Sequence, residues 1–395
     1  MADLEAFRTD VRSWLEANCP PSMRTPMVDG EVCWGGRNAS YPNPETKLWL
    51  DAMASKGWTA PTWPAQYGGG GLTQAENDVL QSELRRIKAR PALLSFGIMM
   101  FGPVLLEYGN EEQKKRFIPG IVKGEIRWCQ GYSEPGAGSD LASLATKCED
   151  KGDHWLINGQ KIWTSYANYA DWIFCLVRTD TTTKHEGISF IVFDMTSPGV
   201  ETRPIALISG ESPFCETFFT DVKVPKDQMV GKLNHGWEIA KRLLTYERTN
   251  ISAGGFGAGA SKPVDRIAKD YVGVENGKLA DADLRARIAR HKMTERAFNL
   301  TVVRTREMSE SGETVGHLAS VFKVGAANLN KEKTELVLEA MGNRSLGWSG
   351  DGFTRDEILA PRTMLRAKAN SIEGGTTEIN LNVVAKRVLG LFDHQ

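Results

Sequence analysis

The spacing of apolar residues divides the chain into three stretches. Over residues 4–120, apolar residues recur every three or four positions in "ETKLWLDAMASKG", "TQAENDVLQSELRRI" and "EEQKKRFIPGI", and runs such as "APTWPAQYGGGG" separate these segments. This spacing is typical of helices that bury one face, and Pro and Gly mark the breaks between them. The pattern predicts a helical domain over residues 1–124.

A different pattern begins at about residue 125. Short apolar or alternating runs rich in β-branched and aromatic residues follow one another in "HWLINGQKIWTS", "DWIFCLVRTD", "ISFIVFDM", "VETRPIALI" and "CETFFTDVKVP". Such runs, divided by turn residues, predict strands and hence a small β domain over residues 125–232. Helical spacing returns in "GWEIAKRLLTYERTNIS" and continues to "EINLNVVAKRVLGL", so we expect a second helical domain over residues 233–395 and an α+β multidomain fold.

Composition narrows the classes of partner. The 395 residues include 48 basic and 49 acidic ones, which does not support a nucleic acid or an anionic membrane as partner. The six cysteines form no CxxC pair and the six histidines are dispersed, so neither a disulfide framework nor a metal site is predicted. The start "MADLEAFRTDVRSWLEANCPP" lacks the apolar core of a signal peptide, and the most apolar run, "ALLSFGIMMFGPVLLEYG", is broken by Gly and Pro. We expect a cytoplasmic protein.

The segment "CQGYSEPGAGSDL", residues 129–141, is the first candidate for a binding site. Its glycines allow backbone N–H groups to approach a ligand closely, and Ser133 and Ser139 add hydroxyl groups. An ordinary turn between strands is the alternative interpretation. The later segment "NGQKIWTSYANYADW" sets the aromatic plane of Trp163 beside the hydroxyl groups of Thr164 and Ser165, which favours a cradle for an anion or a ring edge.

A candidate acid lies in "EIAKRLLTYERTNIS". If this segment is one helix, Glu247 shares the apolar face formed by Ala240, Leu243, Leu244 and Ile251. An acid on a buried apolar face needs a hydrogen-bond or ion-pair partner, or it has a functional role. The alternative is a frayed helix end, where Glu247 turns to solvent or pairs with Arg248.

Several motifs together carry a resemblance to a known family. "SEPGAGSD", "NGQKIWTS", "ADW", "GISFIVFD", "F-x-DVKVP" and "GGTTEIN" resemble the acyl-CoA dehydrogenases in order and spacing over nearly the whole chain. The resemblance implies an N-terminal helical domain, a middle β-barrel-like domain and a C-terminal four-helix bundle, with FAD bound between the β domain and the bundle. It further implies removal of an α-proton and a β-hydride from an acyl-CoA thioester, which yields the trans-2-enoyl-CoA, and transfer of the electrons to an electron-transfer flavoprotein.

Matching the motifs residue by residue implies a set of site residues. The implied cofactor-binding residues are Tyr132, Ser133, Gly138, Trp163, Ser165, Thr376 and Glu378. Trp163 would lie against the flavin ring, and Ser133 and Ser165 would hydrogen-bond its heteroatoms. Ser139 would lie near the entrance for acyl-CoA.

The resemblance leaves two acids to compare as the base. Many members use the Glu of a "YEGT" segment, and matching that segment without a gap to "IEGGTTEIN" puts Gly374 at the base position and Glu373 one residue before it. Neighbouring side chains diverge in direction, whereas Gly374 still offers a backbone N–H to the thioester carbonyl. Isovaleryl-type members instead use the Glu of an "ER" pair on an earlier helix, which "YERTN" matches. The resemblance therefore implies Glu247 as base, Arg248 as its neighbour on the substrate side, and Glu373 as the fallback.

The chain departs from the family pattern in two segments. The Arg-x-x-Phe-Gly segment expected after the base helix is absent from the sequence, and Glu339 stands where Gln is expected. Bacterial members that act on bulky acyl-CoAs, such as steroid side chains, often share the "IEGGT-[ST]-E" ending, lack the Arg-x-x-Phe-Gly segment and in some cases assemble with a second homologous subunit. We therefore expect a homo-oligomer or a hetero-oligomer. An acyl-CoA oxidase on the same fold and a weakly active assembly subunit remain alternatives.

Overall fold

The computed structural model describes residues 2–28, 30–252, 262–313 and 315–392. The chain divides into two compact units, the first comprising Met1–Ile205 and Pro213–Leu243 and the second Ala206–Ser212 and Leu244–Gln395. The division into three domains at residues 124/125 and 232/233 stays a prediction.

Helices form the first part of the first unit, as the apolar spacing predicts. They are α1 (Ala2–Asn18), α2 (Pro44–Ser55), α3 (Gln74–Arg86), α4 (Gly102–Tyr108) and α5 (Glu111–Val122). Thr73 and Asn110 begin α3 and α5 with reciprocal capping hydrogen bonds, which satisfy backbone N–H groups of the first turn. A π-helical turn, Gly97–Phe101, leads into α4. The core between these helices includes Val11, Leu15, Trp49, Met53 and Leu80.

One eight-stranded sheet forms the second part of this unit. Its strands are β1 (Trp128–Gly131), β2 (Lys147–Asp150), β3 (His154–Ser165), β4 (Trp172–Arg178), β5 (Ile188–Asp194), β6 (Val200–Ile205), β7 (Phe214–Pro225) and β8 (Met229–Val230). The order is β6-β7-β3-β2-β4-β5-β8, and β1 pairs with β4 in parallel. The antiparallel pair β3 and β7 has 12 residues in each strand and carries most of the pairing near the candidate site.

The helices of the first unit are fixed to the sheet by polar contacts as well as by packing. Gln113 Nε2 in α5 donates to the backbone oxygens of Asp227 at 2.7 Å and Met229 at 2.8 Å. Arg37, in the loop between α1 and α2, forms an ion pair at 2.7 Å with Asp194 at the end of β5. The sheet therefore rests on a packed helical support.

Over the residues that the structure describes, the second unit is helical apart from one small hairpin. Its elements are the end of α6 (Gly236–Ser252), α7 (Val264–Val272), β9 (Val274–Glu275), β10 (Lys278–Leu279), α8 (Ala282–Glu310), α9 (Ala319–Met341), α10 (Arg355–Ala367) and α11 (Thr377–Val383), which continues as a π turn over Val384–Val388. The core of the unit includes Ile267, Leu284, Ile288, Leu336 and Ala340. Over the described ranges, no helix is both long and apolar enough to cross a membrane.

Candidate active site

A tight turn after β1 carries the first group of predicted site residues. Glu134 and Ala137 exchange both backbone hydrogen bonds, each at 3.0 Å, which closes the chain around Pro135 and Gly136. A Cβ atom built on Gly136 or on Gly138 would meet no atom within 4 Å. The turn therefore presents bare backbone to open space, as a cradle for a ligand requires.

The predicted residues next to this turn differ in exposure. Tyr132 is only 5% exposed, and its ring meets the ring of Phe174 edge-on, with 6.2 Å between centroids. Ser133 is half-buried, and Ser139 is exposed. The turn thus begins in the core of the sheet and ends at the surface.

Trp163 is turned outward by an irregularity in β3. Lys161 pairs with Thr217 and Thr164 pairs with Cys215, so that three steps along β3 match two steps along β7. Such a bulge redirects a side chain. Trp163 has a φ of +61°, which is rare for a bulky residue and is found mainly where function requires it. Its indole is 52% exposed, which leaves a large aromatic plane available to a ligand.

The residues next to Trp163 fix the strand and pack against the exposed ring. Thr164 is fully buried, and its hydroxyl bonds the backbone oxygen of Cys215 at 2.9 Å and the hydroxyl of Thr217 at 2.8 Å. The ring of Phe214 meets the indole edge-on, with 6.0 Å between centroids. Ser165 is half-buried at the end of the strand.

The turn after β1 and the end of β3 are held to each other within the first unit. The backbone N–H of Ile162 donates to the backbone oxygen of Ser133 at 2.9 Å. The structure therefore brings four of the predicted residues, Tyr132, Ser133, Trp163 and Ser165, onto two adjoining segments.

In the second unit, two consecutive glycines precede α11. Gly374 has a φ of +63° and Gly375 a φ of +86°, conformations that glycine adopts without strain. Thr376 follows as the cap of α11, and its hydroxyl accepts the N–H of Ile379 at 3.2 Å. The buried side chain of Asn380 donates to the backbone oxygens of Gly375 and Thr376, at 2.9 and 3.0 Å. The backbone on both sides of the turn is therefore tied to the helix.

The carboxylate of Glu373 is engaged by other side chains. Its two oxygens accept hydrogen bonds from the guanidinium of Arg366, at 2.7 and 3.2 Å, and Asn370 donates to one of them at 2.5 Å. A bidentate pair of this kind holds the carboxylate in a fixed orientation. Arg366 and Asn370 therefore set the direction in which the carboxylate of Glu373 points.

A buried amine lies close to this turn. Lys323, in α9, is 2% exposed, and its Nζ has no hydrogen-bond partner among the residues that the structure describes. Burial lowers the pKa of the amine, while the charges of Glu373 and Glu378 act in the opposite direction. Glu378 itself is exposed, in the first turn of α11.

The predicted base lies on α6. Ala240 and Leu243 are fully buried, as the predicted apolar face requires, and Leu244 is half-buried. The side chains of Glu247 and Arg248 lie outside the described residues, so their roles stay predictions.

Models of one family match all three parts of the chain. The acyl-CoA dehydrogenase N-terminal domain matches residues 1–125, the middle domain residues 129–222 and the C-terminal domain residues 234–389. The chain belongs to the acyl-CoA dehydrogenase family. It is therefore an oxidoreductase of the acyl-CoA dehydrogenase class.

Relatives of full length support this assignment. The acyl-CoA dehydrogenase IpdE1 of Mycobacterium tuberculosis is 34% identical, over 99% of this chain and 98% of its own length. The solved structure titled Tcur3481-Tcur3483 steroid ACAD is 30% identical, with a TM-score of 0.76, over 99% of this chain and 98% of that chain. The ChsE4-ChsE5 complex from Mycobacterium tuberculosis is 26% identical, with a TM-score of 0.74, over 100% of this chain and 98% of that chain.

The loop that follows Glu339, residues 342–354, is held by charged residues. Arg344, after α9, donates to both carboxylate oxygens of Glu357, at 2.7 and 2.6 Å. Trp348 lies further along the loop and is held by Arg362 of α10. The guanidinium of Arg362 lies 4.5 Å from the centre of the Trp348 ring and donates to the backbone oxygen of Trp348 at 3.0 Å. The loop is thus fixed within its own unit, and 41% of Trp348 is exposed.

Two charged residues beside the glycine turn of the first unit are not predicted as site residues from the sequence. Glu134 and Lys161 lie inside the two acyl-CoA dehydrogenase motifs, and both are buried. Charged residues at core positions of a strand and its neighbouring turn are rare unless they pair with each other. In the sequence, the signal is that Lys161 follows Trp155 and Ile157 at even spacing and so shares their buried face of β3.

Proposed function

We propose that the chain is an FAD-dependent dehydrogenase that converts an acyl-CoA thioester to its trans-2-enoyl-CoA and passes the electrons to an electron-transfer flavoprotein. Membership of the acyl-CoA dehydrogenase family supports the reaction class. The observation that carries the choice of cofactor is the outward-turned indole of Trp163, 52% exposed at a bulge beside a glycine turn. We further propose a cytoplasmic location.

The residues of the first unit fit a flavin. An isoalloxazine ring needs an aromatic or apolar surface and hydrogen-bond donors at its edge, and Trp163 and the hydroxyls of Ser133 and Ser165 are of these types. Gly138 leaves room for close approach of the ligand, since a Cβ there would meet no atom within 4 Å. The buried side chain of Tyr132 would support the segment that carries Ser133.

In the second unit, we assign Thr376 and Glu378 to cofactor binding, because they stand in the matched "GGTTEIN" segment at the start of α11. Bound FAD would supply the two-electron acceptor, at its N5 atom, for the hydride from the β-carbon of the substrate.

We assign removal of the α-proton to Glu247. The competing acid, Glu373, is already bound by Arg366 and Asn370. A general base must be able to reach the carbon acid, and the bidentate ion pair fixes the orientation of the Glu373 carboxylate toward Arg366. Arg248 would lie on the substrate side of Glu247.

Two further residues would act on the acyl-CoA. The N–H of Gly374 would donate to the thioester carbonyl and so stabilise the negative charge that develops when the α-proton leaves. Ser139, exposed beyond the glycine turn, would contact the substrate near its entrance.

The relatives bear on substrate and assembly. One similar structure is titled a steroid ACAD, and another is titled a complex of two proteins, ChsE4 and ChsE5. We propose that this chain acts on a bulky acyl-CoA such as a steroid-derived thioester. We also propose that it forms a hetero-oligomer with a homologous subunit, with a homo-oligomer as the other possible outcome.

The test is flavin content and substrate bleaching of the purified protein. The proposal predicts bound FAD whose absorbance falls when a bulky acyl-CoA is added without oxygen, followed by reoxidation by electron-transfer flavoprotein. Peroxide formation in air without another acceptor would instead indicate an oxidase. Absence of flavin both alone and with a co-expressed homologous subunit would refute the proposal, and flavin only in the complex would indicate a heteromeric enzyme.

A further inference from the structure

A buried ion pair joins the two segments that carry the proposed flavin-binding residues of the first unit. Lys161 in β3 is fully buried, and its Nζ lies 2.7 Å from Oε1 of Glu134 and donates to the backbone oxygen of Tyr132 at 3.1 Å. One residue further along β3, the N–H of Ile162 bonds the backbone oxygen of Ser133. The three residues after β1, 132–134, are therefore held by two successive residues of β3, Lys161 and Ile162.

Backbone N–H groups as well as Lys161 bind the carboxylate of Glu134. Besides Lys161, the N–H of Thr146 donates to Oε1 at 2.9 Å and the N–H of Ala145 donates to Oε2 at 2.6 Å. Burial by itself would raise the pKa of Glu134, but the charge of Lys161 and these donors outweigh it and lower the pKa. The group is thus an anion fixed by its surroundings and is unsuited to accept a proton from a substrate.

Stability alone does not explain a charged pair at this place. Removing two charges from water costs about as much as their attraction returns, and apolar residues of similar volume often serve as well or better. An ion pair with hydrogen bonds differs from apolar packing because it is directional. Here it fixes the Tyr132 carbonyl and the Glu134 carboxylate against the residue that immediately precedes the bulge at Trp163.

We propose that Glu134 and Lys161 are positioning residues for the cofactor, and that their ion pair sets the distance between Ser133 and the β3 end that carries Trp163 and Ser165. The inference rests on the proposed function, because it concerns the same flavin-binding face. Neither residue is assigned a contact with the cofactor. Each acts through the segment that it holds.

The experiment compares Lys161→Met and Glu134→Gln with the wild-type chain. Each apoprotein is titrated with FAD, and the Kd, the absorption maxima of the bound flavin and the Tm of the apoprotein are measured. We expect the Kd for FAD to rise by roughly ten- to hundred-fold, the range seen when supporting contacts of a site are lost. We also expect the absorption maxima to shift, since the ring is held in a different environment.

Glu83→Gln is the matched control. Glu83 is also buried, at 2% exposure, and forms an ion pair with Arg12 at 2.9 Å among the N-terminal helices. This variant should lower the Tm of the apoprotein while leaving the Kd for FAD and the flavin spectrum unchanged.

The double variant Lys161→Met/Glu134→Gln separates positioning from stability. It leaves no charge at positions 134 and 161, and the amide oxygen of Gln at position 134 can still accept the backbone N–H of Ala145 or Thr146. Its Tm should therefore be higher than that of Lys161→Met. The weakened FAD binding and the shifted spectrum should persist, because the Tyr132 carbonyl has lost its donor. Glu134→Gln and the double variant decide the matter if Lys161→Met does not fold.

Two results would overturn the inference. The first is that the folded single variants, Lys161→Met and Glu134→Gln, bind FAD with the wild-type Kd and show the wild-type flavin spectrum. The second is that the double variant recovers its affinity for FAD along with its Tm. A wild-type chain that binds no FAD, alone or with its homologous subunit, would refute the proposed function itself.

Discussion

Most substitutions in a protein core are destabilising, but the buried amine of Lys323 leads us to expect the opposite. Lys323 is 2% exposed within α9, and its Nζ has no hydrogen-bond partner in the described part of the chain. Methionine has a similar length and flexibility but no charge, so it can fill the same space without carrying a polar group into the core. We predict that Lys323→Met is more stable than the wild-type chain.

The size of the gain follows from what surrounds the amine. A buried polar group without a partner costs about 1–3 kcal/mol. Part of that cost is offset by Glu373 and Glu378, whose charges act on the amine, but Glu373 is already paired with Arg366 and Glu378 is exposed. We therefore expect a gain of about 1–2 kcal/mol at pH 7, or about 2–4 °C in Tm for each kcal/mol.

The gain should depend on pH. Burial lowers the pKa of Lys323 below 10.5, while the unfolded chain keeps the ordinary value. Between those two pKa values the unfolded state binds more protons, so the free energy of unfolding of the wild type rises with pH. The part of the penalty that depends on the charge is fully present below the folded-state pKa and disappears toward pH 10.5, so the advantage of the methionine variant should shrink over that range.

Urea denaturation of both proteins from pH 7 to 10.5 measures this difference. Lys331→Met is the matched control, because Lys331 lies in the same helix and donates to the hydroxyl of Ser371 at 2.5 Å. Losing that hydrogen bond should destabilise the chain. A Lys323→Met variant less stable than wild type at pH 7, or an advantage that does not shrink between pH 7 and pH 10.5, would refute the reasoning.

Three further predictions concern separate sites. Arg344 lowers the pKa of the buried Glu357 to about 2, so the Tm of the wild type should fall as pH drops from 4.5 toward 2, and Glu357→Gln should lack that component. Trp163→Ala should weaken FAD binding by about tenfold, the loss of one aromatic contact, without lowering the Tm of the apoprotein, because the ring is 52% exposed. Thr376→Ala should cost about 1 kcal/mol in urea denaturation through loss of the α11 cap, and Thr376→Ser should restore it.

Periodic sequence patterns located the regular elements well. The segments "HWLINGQKIWTS" and "GWEIAKRLLTYERTNIS" coincide with β3 (His154–Ser165) and α6 (Gly236–Ser252). In both, side chains that alternate or recur with the period of the element meet a packed core, and the local sequence records that directly.

The sequence did not reveal contacts that depend on the pairing of distant segments. The left-handed backbone of Trp163 follows from the register of β3 against β7, more than 50 residues away, as in the pair Thr164 and Cys215. The pair of Glu134 and Lys161 joins residues 27 apart. The sequence shows that Glu373 stands one residue before the base position of the "YEGT" members. Its ion pair with Arg366, however, depends on how the chain turns after α10.

The most direct test of the account compares the bleaching rates of Glu247→Gln and Glu373→Gln with acyl-CoA in the absence of oxygen. The account predicts that Glu247→Gln binds FAD normally but bleaches roughly a hundredfold more slowly or worse, as expected for loss of a general base. Glu373→Gln should retain bleaching. Rapid bleaching by Glu247→Gln together with its loss in Glu373→Gln would contradict the assignment of the base.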